Sequence, residues 1–142
     1  MITWMKSIGS ADRPITDPPH NGNWKGESIG FRRDQTPGVR KGDHLILYAP
    51  GGSKKIFGLA EVTTDLVPDP NYNRHEHGAT PWKVSLAYPR GIIMPVAHGV
   101  SIDDVKLSRD LTLSIRRRSH IKLKTEEYEK ILGMLIEKLE NK

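Results

Sequence analysis

The sequence predicts an α+β fold: a mixed sheet of about six short strands, curved into a barrel-like shape, with two or three flanking helices. Three observations lead there. Ten prolines and thirteen glycines in 142 residues divide the chain into short elements and argue against a helical bundle. Several short apolar runs either alternate with period 2 or lie between turn residues, as strands do. One segment near the C-terminal end repeats its apolar residues at helical spacing. At this length, residues 1–142 are expected to form one domain with one core.

The elements follow in order. "MITWMK" reads as a first strand. Residues 7–42 read mostly as loop, because "DRPITDPPHNGNWKG" is dense in Pro, Gly and Asn. "HLILYA" after "KGD" is a short apolar run between turn signals, which predicts a buried strand. "GGSKK" has hairpin chemistry, so "IFGLAEVTT" is its antiparallel partner, with Gly58 marking a bulge or a close backbone approach. Residues 65–81 read as a second long loop. "WKVSLAY" alternates, with Trp82, Val84, Leu86 and Tyr88 on one face. "GIIMPV" reads as an edge strand because Pro95 cannot donate to a ladder. "SIDDVKL" predicts a short helix with Ser101 as N-cap. "LTLSIRRRSHIKL" returns to strand or extended loop. The spacing of Tyr128, Ile131, Leu132, Leu135 and Leu139 predicts a helix over residues 125–139, with Thr125 as its cap.

Charge points toward a partner. The net charge is +5, and residues 109–124 hold six Lys or Arg against one acid, which equals that whole excess. A concentrated basic stripe is the electrostatic footprint of a polyanion binder. There is no cysteine, so disulfides, thiolate metal sites and thiol nucleophiles are excluded, in keeping with a cytoplasmic protein. The opening "MITWMKSIGS" is too short and polar for a signal peptide, and no run approaches a membrane span.

Four pieces of the chain together resemble the EVE domain, in the PUA-like group of folds that also holds the YTH and ASCH domains. "TWMKS" places Trp4, Lys6 and Ser7 where such proteins carry "YWLMKSEP". Trp24 is followed by the basic segment "FRRDQTPGVRKGD" and a strand ending at Tyr48. "IFGLAEV" is similar to the family's "IVGIAEV". A Trp-led strand at Trp82, the segment "LSIRRRSHIKL" and a last helix complete the order. The chain departs from the family pattern where "EP" is replaced by "IG" and "WxGVRN" by "WKGESIGF".

The resemblance implies a PUA-like fold and a nucleic-acid-binding reader that recognises a modified, methylated or flipped base without catalysis, in DNA or RNA. A base outside its stack needs aromatic faces and a few polar groups at its edge. Trp24 and Trp82 each stand where a long loop enters the sheet, which nominates them as two walls of one ring-thick slot. Ser7, Ser28, Asn21, Asn23 and Ser114 are candidates for the base edge; Lys6, Arg116, Arg117, Arg118, His120 and Lys122 are candidates for phosphates. No cofactor is expected. A metal site built from His20, His75 and His77 lacks a recognised ligand spacing. The alternative is a nucleic-acid- or nucleotide-processing enzyme using Asp43, Asp65 or His120 in the same cleft; no phosphate-cradling loop or nucleophile motif supports it. A protein-binding adaptor is a third class. A separately encoded nuclease is a candidate partner, and the sequence specifies no oligomeric state.

Overall fold

The computed structural model describes residues 1–10, 13–31, 38–72, 82–106 and 120–141. Strands β1 (Thr3–Ser7), β2 (Ser28–Phe31), β3 (His44–Ala49), β4 (Lys55–Val62), β5 (Val67–Pro68), β6 (Trp82–Ala87), β7 (Val100–Ser101) and β8 (His120–Lys122) make one mixed sheet. The α-helices among the described residues are α1 (Ile102–Val105) and α2 (Thr125–Glu140). The six-strand path runs β2-β6-β4-β3-β1-β8, with β5 pairing β6 and β7 pairing β4.

The centre of the sheet is the hairpin β3–β4. "HLILYA" is apolar at nearly every position because β3 is covered on both faces: Leu45, Ile46 and Leu47 are fully buried. Leu45 and Leu47 share a face with Trp4 and Lys6 of the parallel neighbour β1. The opposite face carries Met5, Ile46 and Leu59, and α2 covers it there with Ile131 and Leu135, while its Tyr128 hydroxyl meets His44 Nδ1 at 2.9 Å. The register of β3 with β4 slips between Leu47 and Tyr48, leaving Phe57 as an extra residue beside Gly58. The second reading of Gly58 holds too. A Cβ there would lie 3.1 Å from the Ile92 carbonyl oxygen, and the Leu59 N–H donates to that same oxygen at 2.8 Å.

The two ends of the sheet meet. Phe31 belongs to β2 and His120 to β8, the two extremes of the strand path. Their rings are nevertheless 5.1 Å apart and nearly perpendicular, and the Lys6 ammonium lies 5.3 Å from the Phe31 centroid. The sheet therefore curls into a half-barrel whose seam is closed by side chains, in agreement with the predicted barrel-like α+β fold.

Local details depart from the sequence reading. Residues 28–31 form β2, held by pairing with β6 inside a stretch whose composition reads as loop. "GIIMPV" is not an edge strand. It makes a single bridge, Ile93 to Gly58, flanked by 3₁₀ turns at Pro89–Gly91 and Val96–His98, because the prolines at both ends limit pairing. Ser101 does sit at the N-cap of α1, without a capping side-chain bond. Thr125 is the first helical residue of α2; the cap is Lys124, whose N–H donates to Glu127 Oε1 at 3.0 Å.

Candidate functional site

The seam gathers the chemistry-bearing residues on the concave face. Trp4, on β1, tilts against the His120 ring at 5.5 Å, and His120 in turn meets Phe31. Phe31 pairs directly with Trp82 across β2 and β6, so their side chains share a face. That face is the inner one, since Val84 two residues on is 1% exposed while the exposed Ser85 points out. Trp4, His120, Phe31 and Trp82 thus form one row across the seam. The middle pair is buried, and the two indoles at its ends are each half-buried. Lys6 is 6% exposed; it donates to the Ser7 carbonyl at 3.0 Å and lies over Phe31.

One carboxylate sets the Trp4 end of the row. Asp43 Oδ2 accepts from Trp4 Nε1 at 3.0 Å and from the Arg40 N–H at 2.9 Å, while Oδ1 accepts from the Ile2 N–H at 3.0 Å. Burial pushes this carboxyl up, but the Ile2, Trp4 and Arg40 donors, together with the N-terminal charge, outweigh it and hold Asp43 below the usual carboxylate range. Three donors on two oxygens identify a structural hub. At 4% exposure its remaining lone pair is out of a substrate's reach, which disfavours the hydrolytic role considered for Asp43. Asp65 lies exposed in the segment between β4 and β5.

Trp24 is elsewhere. Its ring meets Phe57 edge-on at 6.3 Å and covers Gly26, where an added Cβ would overlap the indole. The Tyr88 hydroxyl donates to the Gly26 carbonyl and anchors this loop, and the Lys25 ammonium lies 5.5 Å from the Tyr88 centroid. Burial pushes the Tyr88 phenol from its ordinary 10.0 up to about 12.

The register therefore corrects the expected slot. Ser28 pairs with Ser85 and Phe31 with Trp82, so Trp24 and Trp82 lie toward opposite ends of the β2–β6 ladder. Six residues lie between Trp24 and Phe31, and the Trp24 ring rests on Phe57, toward the opposite end of β4 from Glu61 and Val62, which pair with β6. Two indoles so placed do not sandwich one ring. Lys6 and His120, read as phosphate contacts, are buried in the seam rather than displayed on an open face. Lys122 is exposed on β8, as a phosphate contact requires.

Among the candidates for a base edge, Ser7 ends β1 opposite Tyr48, and Ser28 faces out with Ser85. Asn21, in the left-handed region at φ 52°, donates to the Pro19 carbonyl, and Asn23 donates to that of Asn21, both at 3.5 Å within one turn. Ser114, Arg116, Arg117, Arg118, His75 and His77 lie outside the described residues. No group of three metal-ligating side chains occurs among the described residues, and no described helix is long and apolar enough to cross a membrane.

Sequence reading missed Phe31 and the role of Asp43. The alternation in "SIGF" was a weak signal for the first. For the second there was only "KGD", which any turn provides.

The comparisons agree with this architecture. The fold is similar to Rpa0253 from Rhodopseudomonas palustris, at 17% identity over 94% of this chain and 92% of that one, with a TM-score of 0.60. It is similar to human THYN1 protein, solved in complex with 5-methylcytosine-containing DNA, at 11% identity over 95% and 98% of the two chains, TM-score 0.60. It is also similar to an ASCH protein from Zymomonas mobilis, at 14% identity over 94% and 99%, TM-score 0.56. No curated protein matches in sequence. The EVE domain family matches over residues 14–134, most of the chain, so the protein belongs to the EVE domain family.

Proposed function

We propose that this protein is a nucleic-acid-binding reader that stacks one methylated or extruded base on the concave face of its seam, without chemistry on that base. The observation that carries the reading is the Trp4 indole: half-buried, beside His120, with its N–H anchored by Asp43. A ring locked before the ligand arrives loses little freedom on binding, which is what a stacking platform needs. Trp82 closes the other end of the row, and Phe31 and His120 back the two indoles from within. Membership of the EVE family supports the reading, as does the likeness to THYN1, whose structure holds 5-methylcytosine DNA. Trp24, packed against Phe57, serves as a cover over the core at the far end of β2.

The test is fluorescence anisotropy with matched DNA and RNA oligonucleotides that differ by a single 5-methylcytosine. The wild-type protein should prefer the methylated member of one pair. Trp4→Ala should lose that preference, and its affinity for the preferred member should fall about 5- to 150-fold if stacking contributes ~1–3 kcal/mol. Trp24→Ala should keep it. Equal affinity of the wild type for every member of the set defeats the proposal.

A further inference from the structure

Stacking one base at ~1–3 kcal/mol hardly exceeds the few kcal/mol of extruding it, so a reader of this kind needs phosphate contacts close to its platform. The described residues bring four exposed cations to one such place. Lys122 is the direct antiparallel partner of Trp4. Two residues on, Lys124 follows Leu123, whose N–H donates to the Thr3 carbonyl at 2.9 Å. On the other side of β1, Arg40 and Lys41 occupy the turn that leads into β3. That turn is built tightly: the Asp43 N–H donates to the Arg40 carbonyl at 3.0 Å, the Gly42 N–H to the Val62 carbonyl at 2.8 Å, and Gly42 adopts φ 92°, where glycine is favoured.

Asp43 ties this turn to the platform, since one oxygen accepts from both the Arg40 N–H and Trp4 Nε1. The cationic segments 40–41 and 122–124 are distant in sequence, yet they flank the opening residues of β1 from its two sides. Strands spaced at ~4.8 Å put them about 10 Å apart, within reach of neighbouring phosphates on one strand. The acids nearest in the chain are Asp43, buried and already accepting three bonds, and Glu126 and Glu127 at the start of α2, of which Glu127 accepts from the Lys124 N–H.

We propose that Arg40, Lys41, Lys122 and Lys124 form a phosphodiester-binding track along the start of β1, leading to the Trp4 platform. The inference rests on the nucleic-acid reading above and adds to it where the backbone runs. It differs from the stripe at Arg116, Arg117 and Arg118, sharing only Lys122 with the sequence-derived phosphate set.

The experiment measures the salt dependence of binding to a duplex carrying one 5-methylcytosine and to its unmethylated twin. The variant is Arg40→Gln, Lys41→Gln, Lys122→Gln and Lys124→Gln together. A control removes equal charge from other exposed positions: Lys54→Gln, Lys106→Gln, Lys130→Gln and Lys138→Gln. Circular dichroism and thermal melts establish that both fold. If the track is real, the slope of log K against log salt flattens in the first variant by about 0.9 for each phosphate that is no longer neutralised. The preference for the methylated duplex persists, and the control keeps the wild-type slope. An unchanged slope in the first variant, or equal flattening in the control, overturns the track while leaving the reader reading intact. Absence of any binding by the wild-type protein overturns both.

Discussion

Two half-buried tryptophans, Trp4 and Trp24, are held in opposite ways. Trp4 is fixed by a polar anchor, its N–H on the Asp43 carboxylate, with His120 beside the ring. Trp24 is fixed by its hydrocarbon surface, its edge contact with Phe57 and its cover over Gly26; the polar anchor of its loop comes from Tyr88. An indole oriented through its N–H presents a face in a defined direction, as a recognition surface must. Trp4 also packs beside Gly38, but its N–H fixes its orientation, whereas Trp24 has only packing contacts among the described residues. The anchors also titrate at opposite ends of the pH scale, since Asp43 is held low and Tyr88 is pushed high.

The largest expected effect breaks the seam. Phe31→Ala removes a fully buried ring that joins the first strand of the path to the last. It should cost about 3–5 kcal/mol in urea unfolding, as large-to-small core changes do. A cost under ~1 kcal/mol would mean that the seam does not hold the sheet's edges together. The variant should also move the environment of Trp4 more than that of Trp24, read by fluorescence in proteins retaining one tryptophan.

Next in size is the polar anchor. Asp43→Asn weakens the acceptor for the Ile2, Trp4 and Arg40 N–H groups and should cost about 1–3 kcal/mol at neutral pH. The folded carboxyl lies below its usual 3.8, so the stability it contributes is present above that value and is lost as pH falls through the folded pKa. Acid unfolding followed by denaturant titration should therefore lose part of its pH dependence in the variant. A wild-type acid limb retained in full would remove Asp43 from the comparison.

The smallest effect concerns the other anchor. Tyr88→Phe deletes the hydroxyl that holds Gly26 and should cost about 0.5–1.5 kcal/mol at neutral pH. The folded phenol is raised from 10.0 to about 12, so its contribution is present below pH 10 and is lost as pH rises through about 12. The alkaline limb should shrink in Tyr88→Phe, and Trp24 should report it while Trp4 stays silent. A response of both indoles together would dissolve the distinction between the regions.

Much of the fold was legible because its signals are local. Period-2 alternation announced β6, the continuous apolar run announced β3, and "GGSKK" announced the turn into β4. The stripe from Tyr128 to Leu139 announced α2, and only its cap lay one residue earlier than Thr125. β2 was hidden because its four residues sit in a Pro- and Gly-rich stretch and owe their extended form to pairing with β6. "GIIMPV" had the composition of a strand, and tertiary packing granted it one bridge.

By itself, then, the sequence determined the strands with strong local patterns, the long helix, the excess of basic charge and the family. Tertiary structure alone decided which side chains meet. A strand's faces follow from its own alternation, but the meeting of Phe31 with His120 depends on the summed register of five strand pairings between them. One slipped residue at any of them would send a side chain to the other face. The β2–β6 register by itself separated Trp24 from Trp82, and the full sum buried Lys6 and His120. The same long-range geometry turned Asp43 from an ordinary turn residue into the group that holds residues 2, 4 and 40 together, because a hydrogen-bond hub is defined by donors that the chain brings back to it only after folding.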